Sequence, residues 1–78
     1  MTDLFLKEKP KREQLLDYIR AKQWVKTSSV IRWGLDHGHT RAERDARDLA
    51  EEGFIRRMDK EKVKLRFGEI GEEVWEII

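Results

Sequence analysis

The chain has 78 residues, which is enough for one small domain and too few for a fold with a deep catalytic cleft. Its 17 basic and 16 acidic residues give a net charge of +1, and charged residues make up 42% of the total. It has no cysteine for a disulfide or a thiolate metal site, and no apolar run of about 18 residues that could span a membrane, so we expect a cytoplasmic protein.

Charge is distributed unevenly along the chain. Residues 54–67 carry six bases and two acids, whereas residues 68–78 carry four acids and no base. A polyanionic partner would therefore contact the segment 54–67 and avoid the C-terminal residues.

The first half of the chain predicts two helices joined by a short extended segment. After Pro10, apolar residues recur at helical spacing over residues 11–22, which predicts the first helix. Trp24–Lys26 is aromatic and β-branched, and is long enough for one brief strand or an extended link. A second helix is expected over residues 28–37, followed by Gly38 as its C-terminal stop. Its buried face is expected to hold Val30, Ile31, Gly34 and Leu35.

A third helix is expected to follow at once. Thr40 and Glu43 have the spacing of a capping box, and Gly53 ends the helix. The buried stripe of this helix is rich in alanine, so it must lie close to its neighbours; the stripe consists of Ala42, Ala46, Leu49 and Ala50.

Beyond Gly53 the apolar spacing changes from helical to alternating. Residues 54–58 read as one strand, residues 59–61 as a polar turn, and residues 62–67 as a second strand with perfect alternation of base and apolar residue. Together they predict a β-hairpin over 54–67. A last helix is expected over 69–78.

The order of these elements resembles a winged helix-turn-helix domain. The resemblance is densest over residues 40–57, where a capped helix carries a Leu-x-x-x-Gly-hydrophobic-Ile run, Leu49 to Ile55, into a strand. It implies a mostly α-helical α+β fold in a single domain, residues 1–78. After an N-terminal extension, 1–10, a three-helix core spans 11–53, the hairpin wing 54–67 and a C-terminal helix 69–78. It also implies DNA binding, with the third helix in the major groove and the wing on the backbone.

The exposed face of the third helix has a composition that suits this role. Arg44 points away from the alanine stripe, and Arg41 and Arg47 flank it by about 60° each. An arginine can contact guanine or a phosphate with two hydrogen bonds. The alternative is a ladder of ion pairs at i, i+4, but an arginine near the helix start and the prevailing arginine-before-acid order are both unfavourable for stability alone.

The basic residues of the expected hairpin form a second candidate contact. Lys60, Lys62 and Lys64 could reach phosphates, or could instead protect an edge strand against aggregation.

Further candidate contacts lie at the two helix starts. Ser28 and Ser29 could donate to a phosphate at the start of the second helix, or serve only as its caps. His39 and Thr40 stand at the turn before the third helix, where they could also contact the DNA backbone.

The remaining motifs argue against catalysis. His37-Gly38-His39 lacks a third ligand for a metal, and neither Gly34 nor Gly38 belongs to a phosphate-binding loop. We therefore expect no metal, no cofactor, no small-molecule substrate and no enzymatic activity.

The two termini carry more apolar residues than a small core needs, so we expect them to form a two-fold dimer interface, the alternative being that they complete the core of the monomer. These residues are Leu4, Phe5 and Leu6 with Val74, Trp75, Ile77 and Ile78.

The function expected from these observations is double-stranded DNA binding by a small transcriptional regulator. The alternative is a winged-helix module that binds protein and no DNA, which the mixture of acids and bases on the third helix would suit. Binding of single strands or RNA is disfavoured, since most aromatic residues are expected in the core.

Overall fold

The computed structural model describes residues 9–78. It is a mostly helical α+β structure, as expected, with four helices and three strands in this part of the chain. In chain order they are α1 (Lys11–Lys22), β1 (Trp24–Lys26), α2 (Thr27–Asp36), α3 (Ala42–Glu51), β2 (Ile55–Arg57), α4 (Lys60–Phe67) and β3 (Val74–Ile77).

Helices α1 and α2 and strands β1 and β2 occupy the positions expected from the sequence. The buried face of α2 differs from the expectation: Val30, Trp33 and Gly34 are buried, whereas Ile31 and Leu35 are exposed. The reason is that the Trp33 ring stacks on Tyr18 of α1, with ring centroids 5.8 Å apart. Burial of this large aromatic surface rotates α2 about its axis relative to the expected face.

The three strands form one antiparallel sheet in the order β1-β3-β2. Strand β3 lies in the centre, pairing Val25 with Trp75 on one side and Ile55 with Ile77 on the other. The C-terminal residues therefore join strands that lie far apart in the sequence.

The expected hairpin over 54–67 is wrong in its second half, because residues 60–67 form the helix α4. Asp59 caps this helix by accepting a hydrogen bond from the N–H of Glu61 at 3.0 Å, and Gly68, with φ of 79°, ends it. The alternation of base and apolar residue also places Val63 and Phe67 four residues apart, on one helical face. The segment is a helix rather than a strand because a helix allows Val63 and Phe67 to pack together against the sheet.

The C-terminal helix expected over 69–78 is also wrong, because residues 74–77 form strand β3. The spacing of Val74 and Ile77 fits a helix turn, but only an extended chain can hydrogen-bond to both β1 and β2. Pairing with β1 and β2, and not local spacing, therefore makes this segment a strand.

The sheet is covered on both faces. Trp75 and Val25 face α1, α2 and α3 in the main core. On the opposite face, a second apolar cluster unites Val74 with α4 and its flanking loops; it consists of Met58, Val63 and Val74, with Trp24, Phe67 and Ile70 packed around them.

The apolar C-terminal residues mostly complete the core of the same chain. Val74 and Trp75 are buried, Ile77 is half-buried, and Ile78 is exposed. The N-terminal half of the expected dimer interface lies outside the described residues, and the homodimer stays a prediction. No helix within residues 9–78 combines the length and the apolar character that a membrane crossing requires.

Candidate nucleic-acid interface

Helix α3 lies unusually close to its neighbours. In its alanine-rich stripe, Ala42, Ala46 and Leu49 are buried, the two alanines at 1% and 0% exposure, and Ala50 is half-buried. On α2, a Cβ added to Gly34 would lie 2.4 Å from the carbonyl oxygen of His39 and 2.8 Å from the Cβ of Ala42. The lack of a side chain at Gly34 thus allows the start of α3 and the preceding turn to approach α2.

The opposite face of α3 presents its arginines to solvent, as the sequence predicts. Arg41, Arg44 and Arg47 are all exposed. Arg47 Nη2 donates to Glu43 Oε2 at 3.0 Å, an exposed i, i+4 pair that contributes about 0.3–0.5 kcal/mol. Within residues 9–78, no carboxylate forms an ion pair with Arg41 or Arg44. Two guanidinium groups are therefore available to an external anion.

Three of the four acids of α3 occupy less exposed positions than its arginines, whereas Glu51, in the last turn, is exposed. Glu43, Asp45 and Asp48 are half-buried. The Oδ2 of Asp45 lies 2.6 Å from Nε2 of His39, so its charge is directed back to the turn between α2 and α3. Over the first two turns, the outermost surface of the helix is consequently more basic than its composition suggests.

The expected capping box does not form. Helix α3 begins at Ala42, and Arg41 precedes it without any side-chain cap. The N–H of His39 donates to the carbonyl oxygen of Gly34 at 2.6 Å, which keeps the turn tight and leaves Thr40 exposed outside the helix. Glu43, the other half of the expected box, pairs with Arg47 instead.

Two candidate phosphate ligands are engaged inside the chain. The half-buried His39 ring contacts Asp45 and meets the Trp33 ring edge-on at 6.4 Å. The N–H and the hydroxyl of Ser28 both donate to the carboxylate of Glu72, at 2.7 Å and 3.1 Å. Ser29, the neighbouring candidate, is half-buried in the first turn of α2.

The three candidate lysines lie on α4, because the segment is a helix. Lys62 Nζ donates to Glu76 Oε1 at 3.0 Å and fixes α4 to β3. Lys64 Nζ lies 3.5 Å from Glu69 Oε2, and both side chains are largely exposed. Lys60 is exposed and has no ion-pair partner within residues 9–78. Lys60 and Lys64 therefore remain accessible, whereas Lys62 has a structural contact.

Glu76 links α4 to the edge strand of the sheet through its two oxygens. It accepts from Lys62 and from Arg56 Nε, the latter at 2.9 Å, and is only 9% exposed. Burial alone would raise the pKa of the Glu76 carboxyl, but the hydrogen bonds from Lys62 and Arg56 together outweigh burial and hold this pKa below its usual value.

Sequence reasoning missed one accessible residue of α4 and one cationic contact of the sheet. In the strand expected over 62–67, Leu65 would be buried on the same face as Val63 and Phe67, but it is 88% exposed. The Arg57 guanidinium lies 5.7 Å from the centroid of the Trp75 ring and 3.1 Å from Glu73 Oε2. The sequence does contain a signal for a helix here, because Asp59 can cap its start and Gly68 can end it. A helix over this span places Leu65 on the exposed side.

Within residues 9–78, no group of three or more histidine and acidic side chains is arranged to hold a metal ion. Comparison with known proteins adds no relative: no protein-family model, curated protein or solved structure matches this chain.

Proposed function

We propose that this chain is a winged-helix protein that binds double-stranded DNA, with α3 in the major groove, and acts as a small transcriptional regulator. Its order of three helices with β1 between the first two, and the pairing of β3 between β1 and β2, are consistent with the family resemblance. In place of a hairpin wing, α4 supplies the backbone contact through Lys60 and Lys64.

One observation carries the proposal. Arg44 extends from a helix whose other side is packed in the core, Arg41 directly precedes that helix, and neither forms an ion pair within the described part of the chain. Arginine is the side chain that most often reads guanine in the major groove, through its O6 and N7 atoms. A rigid helix with unpaired arginines on its outer face has the groups that such recognition needs.

The test is fluorescence anisotropy with a selected duplex at several salt concentrations. We expect binding whose logarithmic affinity falls linearly with the logarithm of salt, with a slope of about −0.9 per neutralised phosphate. Arg44→Ala is expected to weaken binding by about 1–3 kcal/mol on the preferred sequence.

The matched control is Arg20→Ala, which removes an exposed arginine from α1. It is expected to leave the affinity nearly unchanged. Equal losses for the two variants would contradict a role of α3, and absence of duplex binding at low salt would overturn the whole proposal.

A second candidate function, binding of a protein partner, is favoured by one apolar patch. Ile31 and Leu35 lie one turn apart on α2 and are 43% and 68% exposed. They border a groove of about 180 Å³ that extends to Thr40 at the start of α3. A partner that buried this patch would lose affinity with Leu35→Ala, a change that we expect to leave duplex binding intact.

A further inference from the structure

Leu65 has an unusual position on α4. Val63 and Phe67 turn towards the sheet, and Leu65, two residues from each, lies on the opposite face of the helix. At 88% exposure it is the most exposed large apolar side chain within residues 9–78. A single exposed leucine is common, but this one makes no contribution to the packing of α4.

Cations surround this leucine. Lys60, Lys62, Lys64 and Arg66 share the eight-residue helix with one acid, Glu61. Within residues 9–78, Lys60 and Arg66 have no ion-pair partner, and Lys64 has only an exposed contact at 3.5 Å. Two of these four cations are therefore unpaired within the described residues, and an apolar side chain flanked by cations is complementary to a surface that is anionic outside and apolar within.

The helix holds Leu65 in a fixed direction. Phe67 packs against Trp24 of β1 with ring centroids 4.6 Å apart, and Lys26 Nζ lies 5.7 Å from the centroid of the Phe67 ring. Lys62 binds Glu76 from the middle of the helix. A side chain that must enter a narrow groove benefits from such rigidity, because less conformational freedom is lost on binding.

Helix α4 also lies near the start of α2. Lys26, which contacts Phe67, directly precedes Thr27, the first residue of α2. The segment containing α4 leaves the sheet at Arg57 and returns at Val74, and Val74 is paired with Lys26. In chain order, α4 therefore occupies the place that a hairpin wing would have between β2 and β3, and its exposed Leu65 faces away from the sheet.

We propose that Leu65 is an apolar wedge that enters the minor groove of the bound duplex between two base pairs, with Lys64 and Arg66 at the flanking phosphates. This inference rests on the proposed function, since it concerns the same DNA. Leucine wedges partly unstack a base step and bend the duplex, and flexible pyrimidine–purine steps such as TA are the least costly to open. An anionic membrane is a poorer partner, because stable attachment to lipid needs more than one short apolar group.

The test is the end-to-end distance of a short duplex by fluorescence energy transfer, together with 2-aminopurine emission at a central TA step. With the unaltered chain we expect the ends to approach and the emission to rise on binding. Leu65→Ala is expected to abolish both changes and to weaken binding about tenfold, with the salt slope unchanged. Leu65→Met is expected to retain the bend, since methionine also serves as a wedge.

Leu35→Ala is the matched control, because it removes an exposed leucine from α2 and should leave the bend intact. A duplex that is bound but stays straight, or that bends equally with Leu65→Ala, would overturn the wedge and leave the proposed function standing. No duplex binding at low salt would overturn both. Binding to phosphatidylserine vesicles that is lost with Leu65→Ala, without any duplex bending, would assign Leu65 to a membrane and also overturn the wedge.

Discussion

Ser28 and Glu72 are joined by two hydrogen bonds although they lie 44 positions apart in the sequence. The N–H groups at a helix start carry partial positive charge, so the Glu72 carboxylate lies where a phosphate would otherwise bind. Thr27 strengthens the same connection, because its N–H and its hydroxyl both donate to the carbonyl oxygen of Glu73. The start of α2 is therefore capped by the loop that leads into β3.

Replacing Glu72 by alanine should lower the free energy of unfolding by about 1 kcal/mol, the usual value of a helix cap. The measurement is thermal or urea unfolding followed by circular dichroism. Glu69→Ala is the control, because the largely exposed Glu69 makes only a 3.5 Å contact with Lys64. Equal stability of the two variants would show that the Glu72 contact contributes nothing as a cap.

Replacing Glu43 by glutamine should raise the affinity for duplex DNA about threefold, because it frees Arg47 and removes a negative charge that repels phosphate. The stability loss should stay within about 0.5 kcal/mol. Anisotropy titrations at low salt measure the affinity. Glu13→Gln makes the same chemical change at an exposed position of α1, the helix that also supplies the Arg20 control, and comparison of the two distinguishes a local effect on Arg47 from a general change in net charge.

The Glu76 carboxylate should make stability depend on pH in the acid range. Because hydrogen bonds from Lys62 and Arg56 hold the folded-state pKa of Glu76 below the ordinary 4.5, its contribution is fully present above about pH 4.5 and is lost as the pH falls through the folded pKa. At neutral pH, Glu76→Gln should cost about 1–2 kcal/mol, since both cationic partners are substantially exposed.

The difference in unfolding free energy between Glu76→Gln and the unaltered chain should therefore shrink as the pH falls below 4.5 and through the lowered pKa of Glu76. Urea unfolding at a series of pH values gives this difference directly. A constant difference across that range would contradict the assignment of the acid dependence to Glu76.

Gly34 and Gly38 should respond to substitution for different reasons. Gly34→Ala places a Cβ against the His39 carbonyl and Ala42, which should cost about 1–3 kcal/mol despite the higher helix propensity of alanine. Gly38→Ala meets no neighbour, but its φ of +67° disfavours a side chain by about 1 kcal/mol.

Asparagine distinguishes the two causes. It tolerates positive φ, so Gly38→Asn should recover most of the stability lost with alanine, whereas Gly34→Asn should be worse than Gly34→Ala. Denaturant midpoints for the four variants decide the matter, and the opposite ranking at either position would refute the explanation given for it.

Local spacing predicts the helices and strands of the first half of the chain. Residues 11–22 repeat apolar side chains at helical intervals, and the turn around Gly38 separates two short helices as expected. The arginine face of α3 also follows from spacing alone, because the alanines opposite it leave only one side that can be buried.

The second half could not be predicted in the same way. Residues 62–67 satisfy a strand period and a helix period together, and the outcome depends on whether Val63 and Phe67 can share one surface. Strand β3 forms because it pairs with β1 and β2, which lie far from it in the sequence. No local pattern encodes this pairing. The hydrogen bonds of Ser28 with Glu72 and of Lys62 with Glu76 depend on where α4 and β3 lie. These contacts therefore could not be predicted from the sequence either.

The position of the sheet between two apolar clusters affects how cooperatively the molecule unfolds. Melting α4 would uncover Val74 and Trp24 on one side of strands whose other side holds the three-helix core. Unfolding of α4 should therefore destabilise the central strand β3 and, through it, the packing of α3. Amide hydrogens of α3 and β3 should exchange with solvent water at one common rate-limiting opening, so that the chain unfolds as a single cooperative unit.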